Sequence, residues 1–284
     1  MSKNDVLEYL KKNYDKLTDN QKIIGKYVID NYREVAFLSA AELGERVGVS
    51  DATVIRFARS IGFSGFTEFK DSIRESIKNV DSPDVRLLKS WDSIKNKDDL
   101  ILKIGKADLR NLEGFLLNIE VDKINQSVEE IYNANTIYLV GMGSSMVVAE
   151  FLGWHLKRMG FRVDPIRGGG LTLIENLAAI TKKDLLIVCT FRRYSKDTYN
   201  SIVLAKKRGA KVLTITDSNL TDISINSDIV FSVAAENSSF FNSYVVPMML
   251  CNILLMSVLE KDRDKIYGII KDYTKSMEAF DLFV

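Results

Sequence analysis

A single histidine and two cysteines leave this 284-residue chain without the ligands of an ordinary zinc site, so no metal is expected. Cys189 and Cys251 both lie in apolar surroundings. They read as small core residues of a reducing compartment, not as a disulfide framework. An excess of one charge is also lacking: 39 Lys and Arg meet 38 Asp and Glu, a formal net of +1. No overall field therefore argues for nucleic acid or a membrane surface. Long hydrophobic runs are missing too. The most apolar stretch, Val245 to Leu259, contains Pro247 and Asn252. It falls short of the ~20 residues that a membrane helix needs. The N-terminus, Met-Ser-Lys-Asn-Asp5, has no apolar signal segment. These absences point to a cytoplasmic globular chain with no membrane partner, built as two domains or one large one.

What is present begins with Thr136-Ile-Tyr-Leu-Val-Gly-Met-Gly-Ser-Ser-Met146. Ile137 to Val140 reads as a buried strand, and Met146 to Met159 as a helix. A strand that breaks at glycines and re-enters a helix exposes backbone N–H groups at the positive end of the helix dipole, which makes an anion site. Further apolar runs alternate with helical patterns. Strands are expected at Arg162–Pro165, Leu185–Thr190, Lys211–Thr216 and Ile229–Val233, and helices at Leu173–Ile180, Thr198–Lys207 and Val245–Glu260. The alternation argues a doubly wound α/β domain with a mainly parallel sheet. Such sheets bind ligands at the carboxyl ends of strands. Polar residues stand at three of those ends: Gly141–Ser145, Thr190–Thr198 and Thr216–Asn219. A dinucleotide fingerprint is incomplete, since Met146 stands where the third glycine belongs, although Asp164 is spaced as a ribose-binding acid would be. No cofactor is expected.

Upstream the pattern is all-helical. Thr18 and Gln21 are placed as a capping box, and Ile23, Ile24, Tyr27 and Val28 follow at helical spacing. Val35–Leu38 reads as a short connection. Ser39 then caps a helix over Ala40–Val47, Gly48 suits a left-handed turn, and Ser50 caps a helix from Asp51 to about Ser60. Two short helices joined by such a turn make a helix-turn-helix, whose second helix lies in the major groove. The candidates to face DNA are Ser50, Asp51, Thr53, Arg56 and Arg59. Hydroxyls there suit phosphates or base edges, and the arginines suit guanine or the backbone. Over residues 1–80, 13 Lys and Arg against 12 Asp and Glu leave a net of only +1. The basic footprint must be local, or come from dimerisation. Asn79-Val-Asp-Ser-Pro-Asp84 breaks the composition, which gives domains at 1–79 and 98–284 with a linker at 80–97. Asp98–Glu120 and Val121–Asn133 read as helices of the second domain.

The run Ser50-Asp-Ala-Thr-Val-Ile-Arg-Phe57, followed by Gly62-Phe-Ser-Gly-Phe66, resembles the helix-turn-helix of the RpiR-type transcriptional regulators, and the likeness extends from Leu17 to about Ile77. Phe63, Phe66 and Phe69 read as core. Gly141–Ser145, Cys189–Thr198 and Gly209–Asp217 resemble the sugar isomerase (SIS) domain, over residues from about 100 to 284. The resemblance implies that the serine after the first glycines and a Ser/Thr-rich loop after the next major strand hold the phosphate of a phosphorylated sugar. Carried over residue by residue, it nominates Gly143, Ser144, Ser145, Thr190, Ser195 and Thr198. The family's usual second loop, Ser-x-Ser-Gly-x-Thr, is altered here. Arg192 takes the second serine's place and Arg193 the glycine's, so a sugar acid or another carboxylate is also open. Arg192 and Arg193 are either contacts to that anion, a solvated loop or an inter-subunit ion pair. His155, Glu150 and Glu175 read as structural or solvated, and no acid/base pair of an isomerase can be placed.

The expected protein is a regulator of a double-stranded DNA operator, not an enzyme, working as a dimer or tetramer under a small anionic sugar effector. A sugar-phosphate isomerase is the alternative. Phe240 and Phe241, in the loop before the last apolar helix, read as core or dimer contacts.

Overall fold

The computed structural model describes residues 6–80, 84–88, 97–219, 221–237 and 241–280. Much of the expected linker, and Phe240, lie outside them. The chain divides into two compact units, Met1–Asp92 and Ser93–Val284.

The first unit is a helical cluster: α1 (Val6–Asn13), a 3-10 turn (Tyr14–Lys16), α2 (Asp19–Asp30), α3 (Tyr32–Val35), α4 (Ala40–Val47), α5 (Asp51–Ser60) and α6 (Phe66–Val80). Local chemistry sets the boundaries. The Thr18 amide donates to Gln21 Oε1 at 2.9 Å. Ser39 and Glu42 form a reciprocal pair at the start of α4: Glu42 N–H donates to Ser39 Oγ at 3.2 Å, and Ser39 N–H to Glu42 Oε2 at 2.7 Å. That hydrogen bonding holds the Glu42 carboxyl below its ordinary range. Gly48 ends α4 at φ 74°, a left-handed conformation that side chains resist. Leu10, Ile24, Leu43, Val54, Phe57, Phe69 and Ile73 fill the core. Phe69 meets the ring of Phe57 edge-on at 5.7 Å and lies 5.5 and 6.0 Å from those of Phe63 and Phe66, so the three phenylalanines of the sequence motif do anchor α6. Helix α1, which buries Leu10 completely, is not foreseen by the sequence reading, and Ile23 points outward.

The second unit opens with α7 (Lys97–Leu117) and α8 (Val121–Asn133). It continues as β1 (Ile137–Gly141), α9 (Met146–Arg158), β2 (Val163–Ile166), α10 (Leu171–Leu177), β3 (Leu185–Cys189), α11 (Lys196–Lys207), β4 (Lys211–Thr216), α12 (Asp222–Ile225), β5 (Ile229–Ser232), α13 (Val245–Lys261) and α14 (Arg263–Ala279). The five strands are all parallel, in the order β2-β1-β3-β4-β5. Strand alternation sends Leu139, Ile187, Leu213 and Ile215 to one face, against α8, α9 and α13. Tyr138, Val140, Leu186, Val188 and Val212 go to the other, against α10 and α11. Both faces are covered, as a parallel sheet requires. Helix α13 buries Val246, Leu250, Cys251, Leu254 and Val258, and Pro247 sits in its first turn, where no intrahelical N–H is needed. No described helix is long and apolar enough to cross a membrane. Boundaries shift by a few residues from expectation: α10 starts at Leu171 and α11 at Lys196. Helices α12 and α14 are additional.

Candidate functional site

In the first unit, the helix-turn-helix is α4, the Gly48 turn and α5. Ser50 Oγ caps α5 by accepting from the Thr53 amide at 3.3 Å, and the two hydroxyls lie 2.9 Å apart. Arg56 Nη2 donates to Thr53 Oγ1 at 3.0 Å. Arg59, one helical turn on, donates from Nε to the Ser64 carbonyl at 3.2 Å. Both arginines and Asp51 are exposed, while Val54, Phe57 and Ala58 are buried on the opposite side. Asp51 accepts from the neighbouring Ala52 amide at 2.6 Å. Ser50, Asp51, Thr53 and Arg56 therefore share the N-terminal, outward part of one helix, strung on local hydrogen bonds, while Arg59 stands in its last turn.

In the second unit, the strand order reverses direction between β1 and β3, since β2 lies on one side of β1 and the rest on the other. Ligands of open α/β sheets bind at this switch point. The glycine loop and the Thr190 loop both leave the sheet there. Gly141 lets the loop turn back on itself: a Cβ there would lie 2.8 Å from Met146 Cα and 2.9 Å from the Ser145 carbonyl oxygen. Gly143 stands at φ 58°, inside the 3-10 turn Gly143–Ser145 that leads into α9. Ser144 is exposed and Ser145 is buried. Helix α9 continues from that turn without a side-chain cap; its first amide, Met146 N–H, donates to the turn's own carbonyls at Gly143 and Ser144. Helix α11 is different: Ser195 Oγ already accepts from the Asp197 amide at 3.1 Å. Thr190 is buried, its amide donating to the Ile215 carbonyl at 2.9 Å. Thr198, in the first turn of α11, is fully buried, and its Oγ1 has no hydrogen-bond partner.

Two residues that the sequence does not nominate for the site close this region. Tyr244, just before α13, places its Oη 2.7 Å from Ser144 Oγ, and its ring lies 5.2 Å from that of Phe191. Asp217, just beyond β4, organises the second loop. Its Oδ2 accepts from Arg192 N–H and Nε, both at 3.3 Å, and its Oδ1 accepts from the Tyr194 phenol at 2.6 Å. Burial and the Asp217 carboxylate push the Tyr194 phenol well above its ordinary value. Arg192 is only 10% exposed, and its Nη1 and Nη2 donate to Glu236 Oε1 and Oε2 at 3.2 and 3.1 Å. The altered loop is thus neither solvated at Arg192 nor paired only with a neighbouring subunit. Its guanidinium is held within the chain by two carboxylates. Arg193 is exposed and adopts φ 72°. In the sequence Asp217 is marked only by its place at a strand end; its pairing follows from the burial of Arg192, which requires an acid beside it.

Other candidates are engaged elsewhere. Glu150 accepts from Arg167 Nε at 2.7 Å. His155 packs its ring against Phe151 and Trp154, and burial followed by the nearby Arg158 charge lowers its pKa. Asp164 lies within β2, in register with Tyr138 of the neighbouring β1 and short of the strand's carboxyl end. Among the described residues no group of three His, Cys, Asp or Glu is arranged to hold a metal ion.

Comparison with known proteins agrees with this architecture. The helix-turn-helix domain of the rpiR family matches residues 4–80, and the SIS domain matches residues 130–257. An uncharacterized HTH-type transcriptional regulator of Haemophilus influenzae is 29% identical over 228 residues, 80% of this chain and 78% of that one. The sugar isomerase domain of an RpiR transcription factor from Sphaerobacter thermophilus superposes with a TM-score of 0.60 at 28% identity, over 62% of this chain and 98% of that one. The Vibrio vulnificus NanR protein, solved in complex with ManNAc-6P, superposes with a TM-score of 0.64 at 20% identity, over 97% of this chain and 99% of that one. Helix-turn-helix, doubly wound sheet and glycine–serine turn together identify the chain as a member of the rpiR family of transcriptional regulators, with a C-terminal SIS domain.

Proposed function

We propose that the chain binds a DNA operator through α5 and that an anionic sugar metabolite, bound at the switch point of the second unit, controls that binding. One observation carries the reading: the glycine–serine turn before α9 and the Thr190 loop leave adjacent strands at the same edge of the sheet. There the uncapped α9 N-terminus, the Ser144 hydroxyl and the Arg192 cation present donors suited to phosphate or carboxylate. NanR, which shares the fold, was solved with ManNAc-6P. That supports a phosphorylated sugar as the first class to test, with sugar acids second because of Arg192.

The SIS unit serves here as a receptor and not as an isomerase. Glu150 is committed to Arg167 and His155 to an aromatic cluster, which leaves neither poised as the acid/base group that isomerisation needs. Self-association is part of the same reading, because a dimer would double the DNA contacts of one helix-turn-helix. Ile101, Leu102, Leu109, Leu116 and Leu117 stand exposed on α7, an apolar set suited to a second copy of the chain. The protein then works in the cytoplasm with its operator. In the mechanism, the ligand prefers one arrangement of the subunits and shifts the population toward it.

The test is a gel shift on the gene's own upstream DNA, titrated with sugar phosphates and sugar acids. A retarded band that responds to one of them is expected. Turnover of a hexose or pentose phosphate, without DNA binding, would establish the isomerase instead.

A further inference from the structure

Glu236 occupies the outer edge of the Arg192 guanidinium as a ligand would. The inner edge is fixed. Arg192 N–H and Nε both meet Asp217 Oδ2 at 3.3 Å, and Tyr194 pins the other Asp217 oxygen at 2.6 Å. Arg192 and Asp217 are 10% and 6% exposed. This cation is therefore desolvated and preorganised, with Nη1 and Nη2 turned toward Glu236. The Glu236 side chain is 62% exposed and grips the two nitrogens in a parallel pair of bonds. The two partners differ in what it costs to part them. Glu236 is already largely in water, so releasing it adds little desolvation. Arg192 keeps Asp217 as its ion partner, but its Nη1 and Nη2 would lose their acceptors, and donors of a buried guanidinium left without acceptors are costly. Only another oxyanion with two acceptors can replace Glu236 without loss of pairing.

We propose that the outer edge of Arg192 is a subsite for a carboxylate or phosphate oxyanion of the effector, and that Glu236 is its internal competitor. The proposal rests on the anion-receptor reading above and adds the group that the effector must displace. It also gives the site an output within the unit. The main-chain carbonyl of Glu236 accepts from Asn111 Nδ2 at 2.7 Å, and Asn111 lies on α7. One residue thus holds the ligand-receiving arginine through its side chain and α7 through its backbone. Exchange of Glu236 for a ligand oxyanion loosens the hold on α7.

The test is calorimetric titration of the full chain with glucose 6-phosphate, glucuronate and neutral glucose, in the wild type, Glu236→Gln and Arg192→Met. Glu236→Gln alters an exposed side chain and keeps the carbonyl that Asn111 uses. Removing the competitor should tighten binding of an oxyanion probe about tenfold, the size of one charge-assisted contact. Arg192→Met should weaken it by at least as much, and the Glu236 effect should vanish in the double variant. A gain with glucuronate alone or glucose 6-phosphate alone names the group that the subsite receives. Amide exchange in the probe-free Glu236→Gln protein should also quicken around Asn111. If a probe binds the wild type and Glu236→Gln binds it no tighter, the competitor role is wrong while the receptor reading stands. An equal gain with neutral glucose overturns the oxyanion subsite. If no probe binds any of the proteins, the receptor reading fails and the competitor falls with it.

Discussion

Ser144 and Tyr244, a hundred residues apart in the chain, bring their hydroxyl oxygens to 2.7 Å at the mouth of the strand-end crevice. A serine hydroxyl has one proton to give. If Ser144 gives it to a ligand oxyanion, Tyr244 must be the donor to Ser144, and so acts as a positioning residue. Tyr244→Phe should then weaken binding of a sugar phosphate several-fold, the worth of about 1 kcal/mol for one hydrogen bond. The melting temperature should stay close to that of the wild type, because the ring keeps its contact with Phe191. Titration calorimetry with thermal denaturation of the same samples checks both parts.

Asp217 is the fixed point of the altered loop, and its loss should be felt in stability. Asp217→Asn leaves the Arg192 cation with Glu236 but removes the charge beneath it. A cost of about 2–3 kcal/mol is expected in urea unfolding. Paired with Arg192→Met, the same change should cost less than the sum of the two single substitutions, since the stranded charge is gone. Additive costs would show that the two residues do not act as a unit.

The backbone at Arg193 makes a separate prediction. Its φ of 72° lies in the left-handed region, where a side chain costs roughly 1–2 kcal/mol. The family's usual loop has glycine here. Arg193→Gly should therefore be tolerated, with stability within about 1 kcal/mol of wild type, because relief of strain offsets the added chain entropy. Arg193→Val should destabilise by about 1–2 kcal/mol. Equal stabilities for the two variants would contradict the conformation.

How far the site could be read from the chain differs between its halves. The glycine–serine turn was legible because its signal is local: an apolar strand, two glycines and a helix in one stretch. Strands β1, β3 and β4 were legible for the same reason, each being a short apolar run. The direction of Arg192 was not. Its partners stand 25 and 44 residues further on, and nothing in the spacing says which strand ends meet. Helix α14 has no clear signal of its own because its sequence is mixed: Ile266 is buried while Tyr267 and Tyr273 are exposed. Helix α1 is short and charged, and its buried Leu10 becomes meaningful only with α6 against it.

On the DNA side, Arg56 is the residue to remove. In the free protein it bonds Thr53, so binding DNA exchanges one partner for another. Arg56→Ala should weaken operator binding about tenfold or more. If the contact is to phosphate, the slope of log affinity against log salt should fall by about one. Unchanged affinity across salt concentrations would remove Arg56 from the interface.

His155 gives a pH dependence whose sign follows from its surroundings. Burial and Arg158 lower its pKa from 6.5 in the folded chain. The unfolded chain then binds more protons just below that value, so the His155 contribution to stability is intact above it and is lost as pH falls through it. Melting temperatures measured between about pH 7.5 and about pH 5.5 should drop less in His155→Gln than in the wild type.

The two-carboxylate setting of Arg192 also bears on how such a loop changes over generations. A chain with serine at position 192 can already carry the acid, since the main-chain amide of residue 192 and the Tyr194 phenol still donate to it, whereas one with arginine there needs the acid at once. Only the order in which arginine comes first passes through a protein with a stranded charge. The acid at 217 should therefore precede arginine at 192, and a regulator that carries both is held on its side. New effector preferences would then arise more easily at position 236, where an exposed side chain can change without leaving a buried charge behind.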